Sequence, residues 1–249
     1  MADLPASEFV DLAQVGRVVT RTRPVRLGDV DARARLRLDA VARYLQDIAT
    51  DDATDAELDD AFGWVVRRTM IEVRRAAGLD EQLELSTFCA GTGRSWAERR
   101  TSIAGARGAS IEAVSLWIRI DSTSGRPTAL GDDFVSVYGE TAVGRRVSSR
   151  LQLPDPPAGA FRRPWDVRRV DIDPLGHVNN AAQWAIVEEI LPADGSRRGV
   201  AEVEHRAPVD PPSEVPLDLV TTDDPNGMRS SWLAMGDQVL TAARWTPAP

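Results

Sequence analysis

The chain has 249 residues, 43% of them hydrophobic, which suffices for one large core or two smaller ones. Its formal net charge of -8 argues against general nucleic-acid binding, because an acidic surface repels phosphates. The acidic N-terminus lacks the apolar core of a secretory signal, and no apolar run approaches the roughly 20 residues of a membrane helix, so we expect a cytoplasmic protein with no membrane span.

The first half of the chain has the pattern of one strand, one helix and four further strands. Residues 17–27 alternate as an extended segment, and residues 36–51 place apolar side chains such as Leu45 and Ile48 on one helical face. Glycine-containing turns separate the strands that follow. These four strands are predicted over 62–73, 83–90, 95–103 and 110–120.

The segment 140–163 is rich in proline and glycine, which disfavour helices and central strands. We therefore predict a linker there, between an N-terminal domain over 1–139 and a C-terminal domain over 164–249. The second half then repeats the order of the first in less length. Its predicted elements are a strand over 167–172, a helix over 180–191 and four strands over 199–206, 217–222, 228–235 and 239–245.

The two halves are related by an internal duplication. A shift of 142 residues places Asp29 and Asp31 on Asp171 and Asp173, each at the end of a predicted strand, and places Arg35 on His177. A helix followed by four long strands predicts an α+β unit, in which an antiparallel sheet curls around a long central helix. Two such units can pair edge to edge, which hides the open edges of both sheets.

The residues that carry chemistry lie between Asp173 and Asn180, where a predicted strand ends, a turn follows and a helix begins. His177 is one of only two histidines, and it should lie near unpaired N–H groups at the helix start. Such groups suit thioester hydrolysis, because imidazole can activate water and N–H groups can stabilise an oxyanion. Two assignments are open: Asp173 orients His177 as the base, or Asp173 is the base and His177 binds the substrate carbonyl.

The order D-x-D-x-x-x-H-V-N-N, with the aromatic Trp184 four positions further on, resembles the active-site segment of acyl-ACP thioesterases. The segment from Phe62 to Arg68 is similar to the W-V-V-x-R strand of that family, and the segment from Ser95 to Arg100 is similar to a later strand. The resemblance extends in order over most of the chain. The HVNN motif also occurs in thioesterases with a single hotdog domain. The internal duplication therefore distinguishes this chain as resembling the acyl-ACP thioesterases, which have two.

The resemblance implies a tandem, or double, hotdog fold that hydrolyses fatty acyl thioesters to free fatty acids. It implies that the first hotdog domain holds the acyl chain and that the second supplies the catalytic groups, here Asp173 and His177. The substrate would be an acyl-ACP or an acyl-CoA, with no cofactor and no metal, and a homodimer is left open. The candidate substrate-binding residues are Val178, Asn179, Asn180, Trp64 and Val66.

Two positions depart from the family pattern. Leu175 stands where the family usually has asparagine, and Pro208 stands where it has a glutamate on a later strand. Glu204 or Glu202 is a candidate replacement for that acid. The departures raise an alternative function, a catalytically impaired hotdog protein that binds acyl groups without cleaving them.

Two other reactive side chains have structural interpretations. Cys89 lies in a strand-like run, where a buried and inert thiol is expected, and a lone cysteine forms no internal disulfide. His205 is interpreted as a surface or structural residue of a strand. A hydratase on the same fold would need a differently placed pair of acid and histidine, which the sequence does not offer.

Overall fold

The computed structural model describes residues 8–58, 63–192, 196–210 and 216–248. Phe62, the first residue of a predicted strand, lies outside them. None of the helices in the described ranges is long and apolar enough to cross a membrane. The elements are β1 Val19–Pro24, α1 Leu38–Asp55, β2 Trp64–Arg75, β3 Gln82–Thr92, β4 Trp96–Gly105, β5 Ser110–Arg119, α2 Asp132–Ala142, β6 Phe161–Pro164, α3 Ala185–Glu188, β7 Gly199–His205, β8 Leu217–Asp223, β9 Arg229–Met235 and β10 Gln238–Pro247.

The strands form one sheet in the order β1-β3-β4-β5-β2-β7-β10-β9-β8-β6. Counted from the outer edge inward, each half uses its first, third, fourth, fifth and second strand. The halves join through the antiparallel pair β2 and β7, in which Thr69 lies opposite Val203. The predicted α+β double hotdog architecture, with two units paired edge to edge, is therefore confirmed.

The duplication is visible in individual hydrogen bonds. Asp31 N–H donates to the carbonyl of Arg35 at 2.8 Å, and Asp173 N–H donates to the carbonyl of His177 at 2.9 Å. The same correspondence holds just before each helix, where residues 37 and 179 donate to the carbonyls of residues 29 and 171. Each of these pairs differs by 142 positions, so the alignment of the two halves in the sequence is confirmed through the loops.

The helix α1 is buried over several faces, as expected for a helix enclosed by a sheet. Trp184 and Val187 of the second half are also buried and belong to the same continuous apolar core. Each fully buried side chain of this size contributes roughly 1.5–3 kcal/mol. The buried residues of α1 are Leu38, Ala40, Val41, Ala42, Tyr44, Leu45, Ile48 and Asp52.

The second helix is shorter than predicted over 180–191. It consists of a 3-10 turn at Ala182–Trp184 followed by α3, and the N–H of Ile190 bonds three residues back to Val187. Pro192 limits the segment, because the residue before a proline disfavours helical geometry. The apolar spacing therefore predicted burial correctly and helix length wrongly.

The predicted strand over 167–172 is also wrong. The first strand of the second half is β6, and Arg169–Asp171 forms a 3-10 turn. The physical reason is local, because the Asp171 carboxylate accepts the N–H of Arg168 at 3.0 Å and binds its guanidinium at 2.7 Å. These bonds stabilise a turn in place of an extended segment.

The predicted linker begins inside α2 and ends inside β6. Gly139 lies within α2 and lowers its helix propensity, which explains why the sequence did not reveal this helix. Beyond it the chain crosses to the second half, where Leu153 is buried against Trp232. Trp232 Nε1 donates to the carbonyl of Pro154 at 2.9 Å and anchors this crossing.

Candidate functional site

His177 lies in the loop before the second helix, and its nearest polar partner is an acid that the sequence did not indicate. Its Nδ1 is 2.7 Å from Oδ1 of Asp210. The His177 side chain is 42% exposed and that of Asp210 is 70% exposed, so solvent reaches the pair. An ionised carboxylate only accepts hydrogen bonds, so Nδ1 is the donor in this contact, and in the neutral imidazole Nε2 is then an acceptor.

Asp210 is placed by the backbone of the same loop. The N–H of Val178 donates to the carbonyl of Val209 at 2.7 Å, which fixes the residue before Asp210 beside the residue after His177. Asp210 follows the position of the missing family acid, Pro208, by two residues. An acid close behind that proline was the signal in the sequence that could have identified it.

Asp173 does not contact the His177 imidazole within the described residues. Its Oδ1 accepts the N–H of Leu175 at 2.9 Å, which stabilises the turn. Asp173 and His177 are thus brought together through their backbones and not through their side chains. The Leu175 side chain is 51% exposed at the surface.

The residues after His177 form the start of the second helix. Val178 is buried, and the Asn179 side chain accepts the N–H of Ala181 at 2.8 Å, as a helix cap does. Among the described residues, the N–H of Asn180 has no hydrogen-bond partner. Asn180 therefore offers a free backbone donor at this point, although the short helix behind it carries only a small dipole.

The equivalent donor in the first half is already occupied. The repeat places Leu38 at the position of Asn180, and the N–H of Leu38 donates to Oε1 of Glu188 at 2.6 Å. Glu188 is equivalent to Gln46 by the same shift. Gln46 and Asn180 both belong to the wall of a small cavity between the halves.

Trp64 and Val66 line two different cavities. Trp64 belongs to a cavity of about 120 Å³ in the first half, together with Phe134 and Tyr138. Its ring centroid is 5.3 Å from that of Phe134. Val66 belongs to the small cavity between the halves, about 10 Å³ in volume. Trp117 lines both cavities and so lies between them.

His205 is buried, and the expectation of a surface position is wrong, while a structural role fits its surroundings. Its Nδ1 lies 2.9 Å from Oε1 of Gln183. Burial, with a smaller contribution from the nearby Arg67 charge, lowers the pKa of His205 to about 3. The ring is neutral at physiological pH.

The acids suggested as replacements have other partners. Glu204 is fully buried, and its Oε1 accepts the N–H groups of Gln152 and Leu153, which holds the crossing segment. Glu202 binds Arg244 at 2.9 Å, and burial raises its pKa. Pro208 is exposed. Within the described residues neither Glu202 nor Glu204 bonds to His177, so neither takes the place of the missing acid as its partner.

Cys89 is buried, and burial raises the pKa of its thiol to about 11, so it is a poor nucleophile. In the described part of the chain, no three His, Cys, Asp or Glu side chains are grouped as metal ligands would be. The polar groups described above for the loop are the His177 and Asp210 side chains and the free N–H of Asn180.

Comparisons with known proteins agree with this architecture. Residues 16–138 match the family described as the acyl-ACP thioesterase N-terminal domain, and residues 156–230 match its C-terminal domain. The uncharacterized protein Rv2001 of Mycobacterium tuberculosis is 32% identical over 242 residues, which cover 94% of this chain and 96% of that protein.

Solved structures share the fold over nearly the whole chain. The 12:0-ACP thioesterase from Umbellularia californica has a TM-score of 0.75 at 21% identity and covers 95% of this chain and 100% of its own. An acyl-ACP thioesterase from Bacteroides thetaiotaomicron has a TM-score of 0.72 at 17% identity and covers 92% and 96%. At this level of identity the likeness establishes the fold alone.

Proposed function

Because this chain belongs to the acyl-ACP thioesterase family, we propose that it hydrolyses fatty acyl thioesters to free fatty acids at the loop that carries His177. The observation that carries the proposal is the contact between His177 Nδ1 and Asp210 Oδ1 at 2.7 Å. It supplies an oriented imidazole in a chain that lacks the usual acid at position 208.

His177 acts as the general base. With Nδ1–H donated to Asp210, Nε2 can take a proton from water as that water attacks the thioester carbonyl. Asp210 keeps the imidazole in this tautomer and stabilises the imidazolium that forms. The protonated Nε2 then returns the proton to the departing thiolate, which releases the free thiol and the acid. Asp173 positions the turn through its bond to Leu175 N–H.

The oxyanion is stabilised by the free N–H of Asn180, and Gln46 of the other half lines the same cavity. Support comes from the occupied copy, in which Glu188 fills the same place and accepts the N–H of Leu38. A neutral amide in place of the glutamate carboxylate removes a negative charge that would compete with the oxyanion for this N–H. One backbone donor of this kind is worth about 10²-fold or more in rate.

The acyl chain extends from this point toward the first half. The small cavity at Asn180 and Ala181 shares Trp117 with the larger apolar cavity of Trp64, Phe134 and Tyr138, and the chain passes along Trp117 into the larger one. Apolar walls bind a hydrocarbon chain through burial of its surface. Asn179 and Val178 shape the helix start, and the carrier, ACP or CoA, stays outside beside the exposed pair of His177 and Asp210.

The test is thiol release by the purified protein from acyl-ACP and acyl-CoA over a series of chain lengths, beside the variant His177→Ala. We expect turnover by the wild-type protein that exceeds the variant by at least about 10²-fold. No release from either carrier, or equal rates in the two proteins, overturns the proposal. Tight acyl binding combined with equal rates identifies the acyl-binding alternative that Leu175 and Pro208 raise.

A further inference from the structure

The small cavity between the halves carries two buried polar atoms that no protein group satisfies. These atoms are Nε2 of His205 and Nε1 of Trp117, and both are without a hydrogen-bond partner among the described residues. Both side chains line the same cavity, together with Gln46 and Asn180. The great majority of buried polar atoms have a hydrogen-bond partner, so two unpaired side-chain atoms on residues of one cavity wall call for a partner inside that cavity.

The hydrogen bonds around His205 determine which kind of partner Nε2 needs. Gln183 Nε2 donates to the carbonyl of Val178 at 3.0 Å, and Thr241 donates to Gln183 Oε1 at 2.5 Å. The amide oxygen is therefore an acceptor, and His205 Nδ1 must donate to it. Because the buried ring is neutral, Nε2 carries a lone pair and can only accept a hydrogen bond.

Trp117 supplies the complementary group. Its indole Nε1–H can only donate. The other polar pair in the cavity wall is already satisfied, since Thr69 donates to Ser115 at 3.0 Å. Beside the free N–H of Asn180, the cavity wall thus carries two side-chain atoms without a partner, one acceptor and one donor, around a volume of about 10 Å³, which is close to the space of one water-sized group.

We propose that this cavity binds a hydroxyl group on the acyl chain of the substrate, one or two carbons from the carbonyl carbon, as in a 2- or 3-hydroxyacyl thioester. A hydroxyl donates to His205 Nε2 and accepts from Trp117 Nε1–H at the same time. Its position near the carbonyl rests on the proposed function, because Asn180 and Gln46 line the same cavity. A chain without the hydroxyl leaves both atoms unpaired, and a ketone leaves the His205 lone pair unpaired.

The proposal is tested with matched CoA thioesters of one chain length: unsubstituted, 2-hydroxy, 3-hydroxy, 3-oxo and a hydroxyl near the far end. We expect kcat/KM for the 2- or 3-hydroxy compound to exceed that of the others by about tenfold or more. In Trp117→Phe this ratio should fall toward one. Trp96→Phe is the matched control, because Trp96 Nε1 donates to the carbonyl of Val147 and lies outside the cavity wall.

A binding measurement separates this inference from the proposed function. Calorimetry with the free 2- or 3-hydroxy acid and the unsubstituted acid on wild-type protein needs no turnover, and we expect the hydroxy acid to bind about tenfold more tightly. Absence of all thiol release with this preference intact overturns only the hydrolysis. Equal or tighter binding of the unsubstituted acid would mean that the cavity holds only a water molecule, and it overturns the inference. This measurement uses the wild-type protein and so does not depend on whether Trp117→Phe folds.

Discussion

The loops before the two helices have the same backbone and opposite side-chain arrangements. In the first half, Asp31 accepts the N–H groups of Arg33 and Arg35, both at 2.9 Å, and binds Arg197 at 3.1 Å. In the second half, the equivalent Asp173 binds only the turn, and His177 and Asp210 lie exposed. One copy is closed by ion pairs, and the other presents an ionisable pair to solvent.

The closed loop also joins the two halves. Arg197 is buried and binds both Asp31 and Glu188, while Glu188 accepts the N–H of Leu38 at the start of α1. Burying these charged groups costs desolvation free energy. Once they are buried, removing one partner is strongly destabilising, because it leaves a buried charge without full compensation. The difference between the loops indicates that, after duplication, one copy can stabilise the pseudo-dimer while the other keeps polar groups free for chemistry.

The comparison is tested most severely by removing the ionisable group from each loop. His177→Ala should lower kcat/KM by about 10²–10⁴-fold, because the water loses its base. Arg35→Ala, at the equivalent position of the closed loop, should leave kcat/KM nearly unchanged. The measurement is steady-state thiol release with the folded fraction checked by circular dichroism. Equal losses in the two variants would mean that the loops do not differ in function.

Glu188 and its repeat equivalent Gln46 should affect different properties, Glu188 stability and Gln46 turnover. Glu188→Ala should lower the free energy of unfolding by about 2–3 kcal/mol, because it leaves the Leu38 N–H without a partner and the buried Arg197 with Asp31 alone. Gln46→Glu, which restores the acid of the closed copy, should lower kcat, because its carboxylate can accept the Asn180 N–H as Glu188 accepts that of Leu38. Urea unfolding and thiol release measure the two quantities. A stable Glu188→Ala protein would contradict a clamping role for Glu188.

The two carboxylates near His177 should also be separable. Asp210→Asn should lower kcat by about 10–100-fold, because the amide can present its NH₂ to Nδ1 and favour the wrong tautomer. Asp173→Asn keeps an oxygen for the Leu175 N–H and should have a smaller effect. The pH profile of kcat for both variants is the measurement. A severe loss in Asp173→Asn with an active Asp210→Asn would instead make Asp173 the base.

The sequence predicts the fold well because the duplication repeats both its strands and its D-x-D turns. It predicts the position of His177 for the same reason. It does not reveal Asp210, because that contact joins residues 33 positions apart and depends on the backbone bond between Val178 and Val209. It also does not reveal the role of Glu188, because the Leu38 N–H that this carboxylate accepts lies 150 positions away in the other half.

The acid dependence of stability should report the closed loop. Burial acts to raise the pKa of Asp31, but hydrogen bonds from Arg35 and Arg33 and the Arg197 charge outweigh it and lower the pKa from 3.8 to about 2. A lowered folded-state pKa contributes stability that is present above about pH 4 and is lost as pH falls toward 2. The contribution is about 1–2 kcal/mol after allowance for solvent around the loop. Urea unfolding from pH 5 to pH 2.5 should therefore show a shallower acid decline in Asp31→Asn than in the wild type, and equal slopes would place the acid sensitivity elsewhere than in this loop.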